Sequence, residues 1–149
     1  MGNLGWINGN LVDWMCRYQK VVTLSTMEAE YIGYCSSARN ATHLAQLLQP
    51  FRTEPVSPVI IWGDNAAAKT FAEKDMINQK TKHIGIAYHY VREKVMEGFI
   101  NIVHISTNFN FADLLTKPLT SEKTRFFCSY MIGMIIAPTE LFRKFRPQK

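Results

Sequence analysis

The sequence predicts a mixed α/β domain, a sheet with helices on its faces. Three observations carry this. Asn8-Gly9 lies between short apolar segments and is a strong signal for a two-residue hairpin. Val59-Ile60-Ile61-Trp62 is an unbroken apolar run of strand length, as in a strand covered on both faces. After the hairpin, helical periodicity alternates with strand patterns, which argues for a layered sheet.

Each element has its own justification. The hairpin is read around Gly5 to Trp14. Only three or four residues remain for its first strand, which leaves that strand no room to form and predicts a domain cut at its start. Lys20 to Leu24 is expected to continue the extended segment. Ser25 is a helix N-cap with Glu28 three residues on, the pattern of a capping box. Ile32, Cys35, Ala38, Leu44, Leu47 and Leu48 then recur at helical spacing, and Pro50, Pro55 and Pro58 force a loop. A short helix follows from Ala66 to about Glu73, then a polar loop from Asp75 to Gln79. Ile84, Tyr88, Val91 and Val95 mark a helix over Lys80 to Glu97, stopped by Gly98. Phe99 to Ile105 alternates as a strand. Asn108 or Asn110 is expected to cap a helix ending by Pro118, and a last helix is expected over Ser121 to Met134.

The 149 residues fit one domain with a real core, taken as 5–134, followed by a basic tail at 135–149. Up to Leu119 the chain carries 11 basic and 10 acidic residues, so most of the net +5 falls beyond it. A basic tail can hold phosphates, although such runs are more often simply solvated. Cys16, Cys35 and Cys128 show no paired or zinc-ligand spacing and read as reduced thiols of a cytosolic-type compartment. The opening residues form no secretory signal. The longest apolar run, from Phe126 to Pro138, is shorter than the roughly 20 residues a bilayer span needs.

Three acids stand at element ends. Glu28 shares the apolar stripe of its helix, while Glu30 lies about 200° around and faces solvent or a surface partner. Asp64 ends an apolar strand, where open sheets bind ligands. Asp113 falls in a first helical turn. Each has a plain structural role available: Glu28 in a capping box, Asp64 as a cap, Asp113 against a helix dipole. Together they could hold Mg²⁺, which prefers oxygen ligands. His43, His83, His89 and His104 are not spaced as metal ligands. No phosphate loop and no Ser-His-Asp or Cys-His nucleophile motif is visible.

The segment from Gln19 through Ser25-Thr26-Met27-Glu28-Ala29-Glu30-Tyr31 closely resembles the strand-to-helix segment of the ribonuclease H domain in copia-type retrotransposon polyproteins. Further pieces match in order: Gly63-Asp64-Asn65-Ala66-Ala67-Ala68, then Thr81-Lys82-His83-Ile84 with Tyr88-His89-Tyr90-Val91-Arg92, then Ala112-Asp113-Leu114-Leu115-Thr116-Lys117-Pro118-Leu119. The resemblance covers roughly Gly5 to Met134. It implies a ribonuclease H-like mixed sheet with its first strand missing. It also implies metal-dependent hydrolysis of the RNA strand of an RNA–DNA hybrid during reverse transcription. Four acids hold two Mg²⁺ ions there, with Mn²⁺ a possible substitute; one ion activates water and the other stabilises the leaving oxygen.

On that pattern Glu28, Asp64 and Asp113 match the second, third and fourth acids. Asn65, Lys82, His83 and Arg92 are the expected nucleic-acid contacts. The first acid would lie upstream of the hairpin, and Asp13 is no substitute, so this chain is expected to turn over little or not at all. The implied partners are the hybrid and the reverse transcriptase portion of a parent polyprotein, with no membrane and no small-molecule substrate. The implied location is a cytoplasmic particle of the parent element. The alternative is a non-catalytic module that binds nucleic acid or contacts another subunit.

Overall fold

The structure is a computed structural model. It describes residues 1–51, 58–73 and 85–131. The expected loops around Pro55 and Asp75, the start of the Lys80 helix, and the tail at 135–149 lie outside the described residues. The architecture is mixed α/β, as the sequence predicts. Among the described residues the strands form two separate two-stranded sheets, one antiparallel and one parallel, rather than the single sheet expected. The chain divides into two compact units. Of the described residues, one unit holds those within 18–110 with Met1, and the other holds 2–17 with 111–131.

The first unit is built on a parallel pair. Strand β3 (Val59–Gly63) pairs in register with β4 (Ile100–His104), Val59 opposite Ile100 and Gly63 opposite His104. Helices α1 (Thr26–Leu48), α2 (Ala66–Glu73) and α3 (Gly85–Met96) pack with them. On α1 the buried residues Tyr31, Tyr34, Cys35 and Ala38 recur at spacings of three and four. Glu28 opens the same stripe, and Glu30 is exposed, as expected. The core is aromatic. The Tyr31 ring meets Phe71 at 5.0 Å and Tyr88 at 6.0 Å, and Phe71 meets Tyr88 at 4.9 Å. The Tyr31 hydroxyl donates to the Tyr88 carbonyl at 3.2 Å, which satisfies a fully buried polar atom.

Helix ends follow the sequence signals. The Ser25 hydroxyl accepts from the Glu28 amide at 3.2 Å. The cap of α2 differs: Asn65, rather than Asp64, accepts from the Ala68 amide at 3.0 Å. At the end of α3 the Phe99 amide reaches the Lys94 carbonyl and Gly98 reaches Val95. This Schellman closure puts Gly98 at φ 69°, where a side chain would be strained.

The second unit begins with the hairpin. Strands β1 (Gly2–Ile7) and β2 (Asn10–Cys16) pair antiparallel from Gly2–Cys16 to Ile7–Asn10. Asn8 and Gly9 take φ 51° and 83°, both positive, as a type I′ turn requires. The expectation that the first strand has no room is corrected here. It is six residues long, because the pairing runs back to Gly2. Lys20 to Leu24 forms no strand; β2 ends at Cys16. The expected helix before Pro118 is instead two 3₁₀ turns, Thr107–Phe109 and Phe111–Leu115. Ser106 caps the first of them and Asn110 closes it, so neither asparagine opens a helix. Helix α4 (Ser121–Met131) follows. Phe111 sits 6.0 Å from Trp6 and 4.7 Å from the fully buried Phe127, and these rings form a small separate core.

Candidate active site

Asp64 stands where β3 ends. Its Oδ2 accepts a hydrogen bond from the Thr107 hydroxyl at 3.1 Å, and its backbone carbonyl lies 3.2 Å from His104 Nε2. Both partners follow from the parallel register, which sets the end of β4 beside the end of β3. From α1, Tyr34 reaches the same place. Its hydroxyl end lies over Gly63, so close that a Cβ there would overlap it. Glycine before Asp64 is what lets the tyrosine in. Tyr34 is 4% exposed and its hydroxyl has no hydrogen-bond partner among the described residues. Burial pushes its pKa far above the ordinary tyrosine value, and the carboxylates of Glu30 and Asp64 push it further. It stays neutral beside a carboxylate.

Glu28 is 4% exposed in the first turn of α1. Its Oε2 accepts from the Leu24 amide at 2.7 Å. The capping box is therefore formed, with its return bond to the residue before Ser25 rather than to Ser25 itself.

Asp113 lies in the second unit, in the 3₁₀ turn Phe111–Leu115, and is also 4% exposed. Its Oδ1 is 2.9 Å from the ammonium of Lys117. Its backbone carbonyl accepts from the amides of Thr116 and Lys117 at 3.1 and 2.9 Å.

The expected nucleic-acid contacts fall as follows. Asn65 uses its side chain on the α2 cap. The Arg92 guanidinium donates to the Tyr88 hydroxyl at 3.2 Å and lies 6.0 Å from that ring. Lys82 and His83 lie outside the described residues.

Magnesium bound by carboxylates is what the resemblance implies, and oxygen donors suit that ion in kind. The described arrangement does not suit it. Glu28 is bonded by a backbone amide, Asp64 by a threonine and Asp113 by a lysine. Among the described residues there is no group of three or more His, Cys, Asp or Glu side chains able to hold a metal ion.

Three neighbours escaped the sequence reading: Tyr34, Thr107 and Lys117. Lys117 had a signal, since it lies four residues beyond an acid. Gly63 hinted at Tyr34. Thr107 had none, because only the register of two strands distant in sequence brings it to Asp64.

Over 133 residues, 89% of this chain, the sequence is 33% identical to the retrovirus-related Pol polyprotein from transposon TNT 1-94 of Nicotiana tabacum. Over 137 residues it is 31% identical to the corresponding polyprotein from transposon RE2 of Arabidopsis thaliana. Its homologues are retrovirus-related Pol polyproteins of transposons. A more distant one is the Ty1-DR5 Gag-Pol polyprotein of Saccharomyces cerevisiae, 22% identical over 80% of this chain. The chain spans about a tenth of the length of the first two Pol polyproteins, 10% and 9%. No family model matches the chain, and no solved structure matches it. Among the described residues, no helix is long and apolar enough to cross a membrane.

Proposed function

We propose that this chain is a piece of the ribonuclease H domain of a copia-type retrotransposon polyprotein, and that by itself it does not turn over. The parent domain hydrolyses the RNA strand of RNA–DNA hybrids during reverse transcription, in the element's cytoplasmic particle, with Mg²⁺ as its cofactor. Its partners are the hybrid and the reverse transcriptase portion of the same polyprotein.

The observation that carries the reading is the similarity to Pol polyproteins along 89% of the chain, together with the order of the motifs that hold Glu28, Asp64 and Asp113. The lack of turnover rests on chemistry. A two-ion phosphoryl hydrolysis needs a set of carboxylates free to share metal. In this chain Glu28, Asp64 and Asp113 are each bonded to another group of the chain.

A labelled RNA–DNA hybrid, incubated with the chain in Mg²⁺ or Mn²⁺, tests this. The expected result is no cleavage above a metal-free control. Robust cutting that Asp64→Asn abolishes would overturn the inactivity. A complete lack of hybrid affinity at low salt would count against the nuclease ancestry.

A further inference from the structure

We infer that Arg39, laid over the Tyr90 ring where α1 packs on α3, is a contact for the phosphodiester backbone of a nucleic-acid duplex. This rests on the nucleic-acid reading above and adds a residue that the sequence motifs do not mark.

Tyr90 belongs to α3 and is partly buried against the core. Its hydroxyl lies 3.1 Å from that of Thr42 on α1. The Thr42 proton goes to the Ala38 carbonyl at 2.9 Å, so Tyr90 is the donor of the pair. Core packing and this bond together fix the ring. The guanidinium carbon of Arg39 lies 5.6 Å from the ring centre, a cation–π contact. A guanidinium held in this way has its fork oriented before an anion arrives, so less side-chain freedom is lost on binding.

Its charge is also unanswered. Arg39 is exposed and makes no ion pair among the described residues. The neighbouring cations differ. Lys94 lies 6.0 Å from the same ring, but Glu97 holds it at 2.7 Å. Arg92, the contact expected from the sequence, donates to the Tyr88 hydroxyl and is only partly exposed. Helix α1 carries no acid between Tyr31 and Leu48, and the exposed His43 follows Arg39 by one turn. A planar, two-pronged cation on such a face matches the paired oxygens of a phosphodiester. Arg39 stands about three turns, roughly 16 Å, beyond Glu28 on the same helix. It therefore grips a backbone at a distance from a carboxylate that repels phosphate.

Binding of the full chain to a labelled RNA–DNA hybrid and to a DNA duplex, each over a range of salt, tests this. Arg39→Gln removes the charge and keeps a polar side chain. It is expected to weaken binding several-fold at low salt and to lower the slope of log affinity against log salt by about one, the loss of one phosphate contact. Arg39→Lys is expected to keep the slope and lose part of the affinity, because the charge stays and the fork goes. Unchanged affinity and slope in Arg39→Gln, with the parent chain binding both probes, would overturn the proposal and leave the nuclease reading standing. Polyglutamate competing as well as the DNA duplex at equal charge would make the partner an acidic polypeptide and overturn it too. A parent chain that binds the DNA duplex through Arg39 but not the hybrid would sink the nuclease reading and leave this contact in place. Binding to neither probe would end both.

Discussion

Asp64 and Asp113 belong to different units and are secured in opposite ways. In the first unit Asp64 ends a parallel strand, is partly exposed, and takes its hydrogen bond from the neutral hydroxyl of Thr107, with the Tyr34 hydroxyl buried close by. In the second, Asp113 is buried in a 3₁₀ turn and takes an ammonium from four residues away. One partner comes from across a sheet register and the other from the next turn of chain. The first arrangement leaves the carboxylate its charge and access to water. The second cancels the charge inside the fold. Two acids of one residue type, both at element ends, therefore differ in what a cation would have to displace.

The units differ in their cores as well, and the largest expected effects break that contrast. Phe127 is fully buried beside Phe111, while the first unit spreads its burial over Tyr31, Phe71 and Tyr88. Phe127→Ala is expected to cost about 3–5 kcal/mol in urea unfolding, because a fully buried ring leaves a cavity.

Next comes pH. Burial raises the pKa of both Tyr31 and Tyr34 above the free value of 10.0. The unfolded chain loses these protons first as pH rises, so the contribution of the two tyrosines is full below pH 10 and falls above it. The expected slope is about 1.4 kcal/mol per pH unit for each tyrosine. Tyr34→Phe removes one of these contributions and should flatten the alkaline limb of a stability-against-pH curve.

Gly63→Ala sharpens the contrast at Asp64. A Cβ there overlaps the Tyr34 hydroxyl, and such overpacking is expected to cost about 1–3 kcal/mol. A smaller residue at 34 should recover part of that loss, which a double-mutant cycle would show as coupling.

Smallest is Ser25→Ala. It removes the acceptor for the Glu28 amide and should cost about 1 kcal/mol, measured by thermal melting.

Local signals carried most of the fold. The Asn8-Gly9 turn, the Ser25 cap and the Gly98 stop all act within a few residues, so the sequence shows them directly. The bounds of α1 and β3 were legible because prolines and an unbroken apolar run mark them. Three features were not. Counted from Gly5, β1 has no room to form, and only pairing with β2 carries it back to Gly2. Lys20 to Leu24 has strand-forming residues but pairs with no strand among the described residues. The 3₁₀ turns near Asp113 look helical in pattern because i,i+3 and i,i+4 spacings overlap over five residues. For the site, the three acids could be found from motif order, but their partners depend on tertiary register. That is why Thr107 and Tyr34 were invisible and Lys117 only hinted.

The most direct measurement is the metal-free melting temperature of the triple variant Glu28→Gln, Asp64→Asn, Asp113→Asn beside the parent chain. Each acid accepts a bond from its own surroundings, so the variant is expected to melt at a lower temperature. A triple variant that melts higher would show three carboxylates straining against one another as an empty metal cage, and would contradict this account.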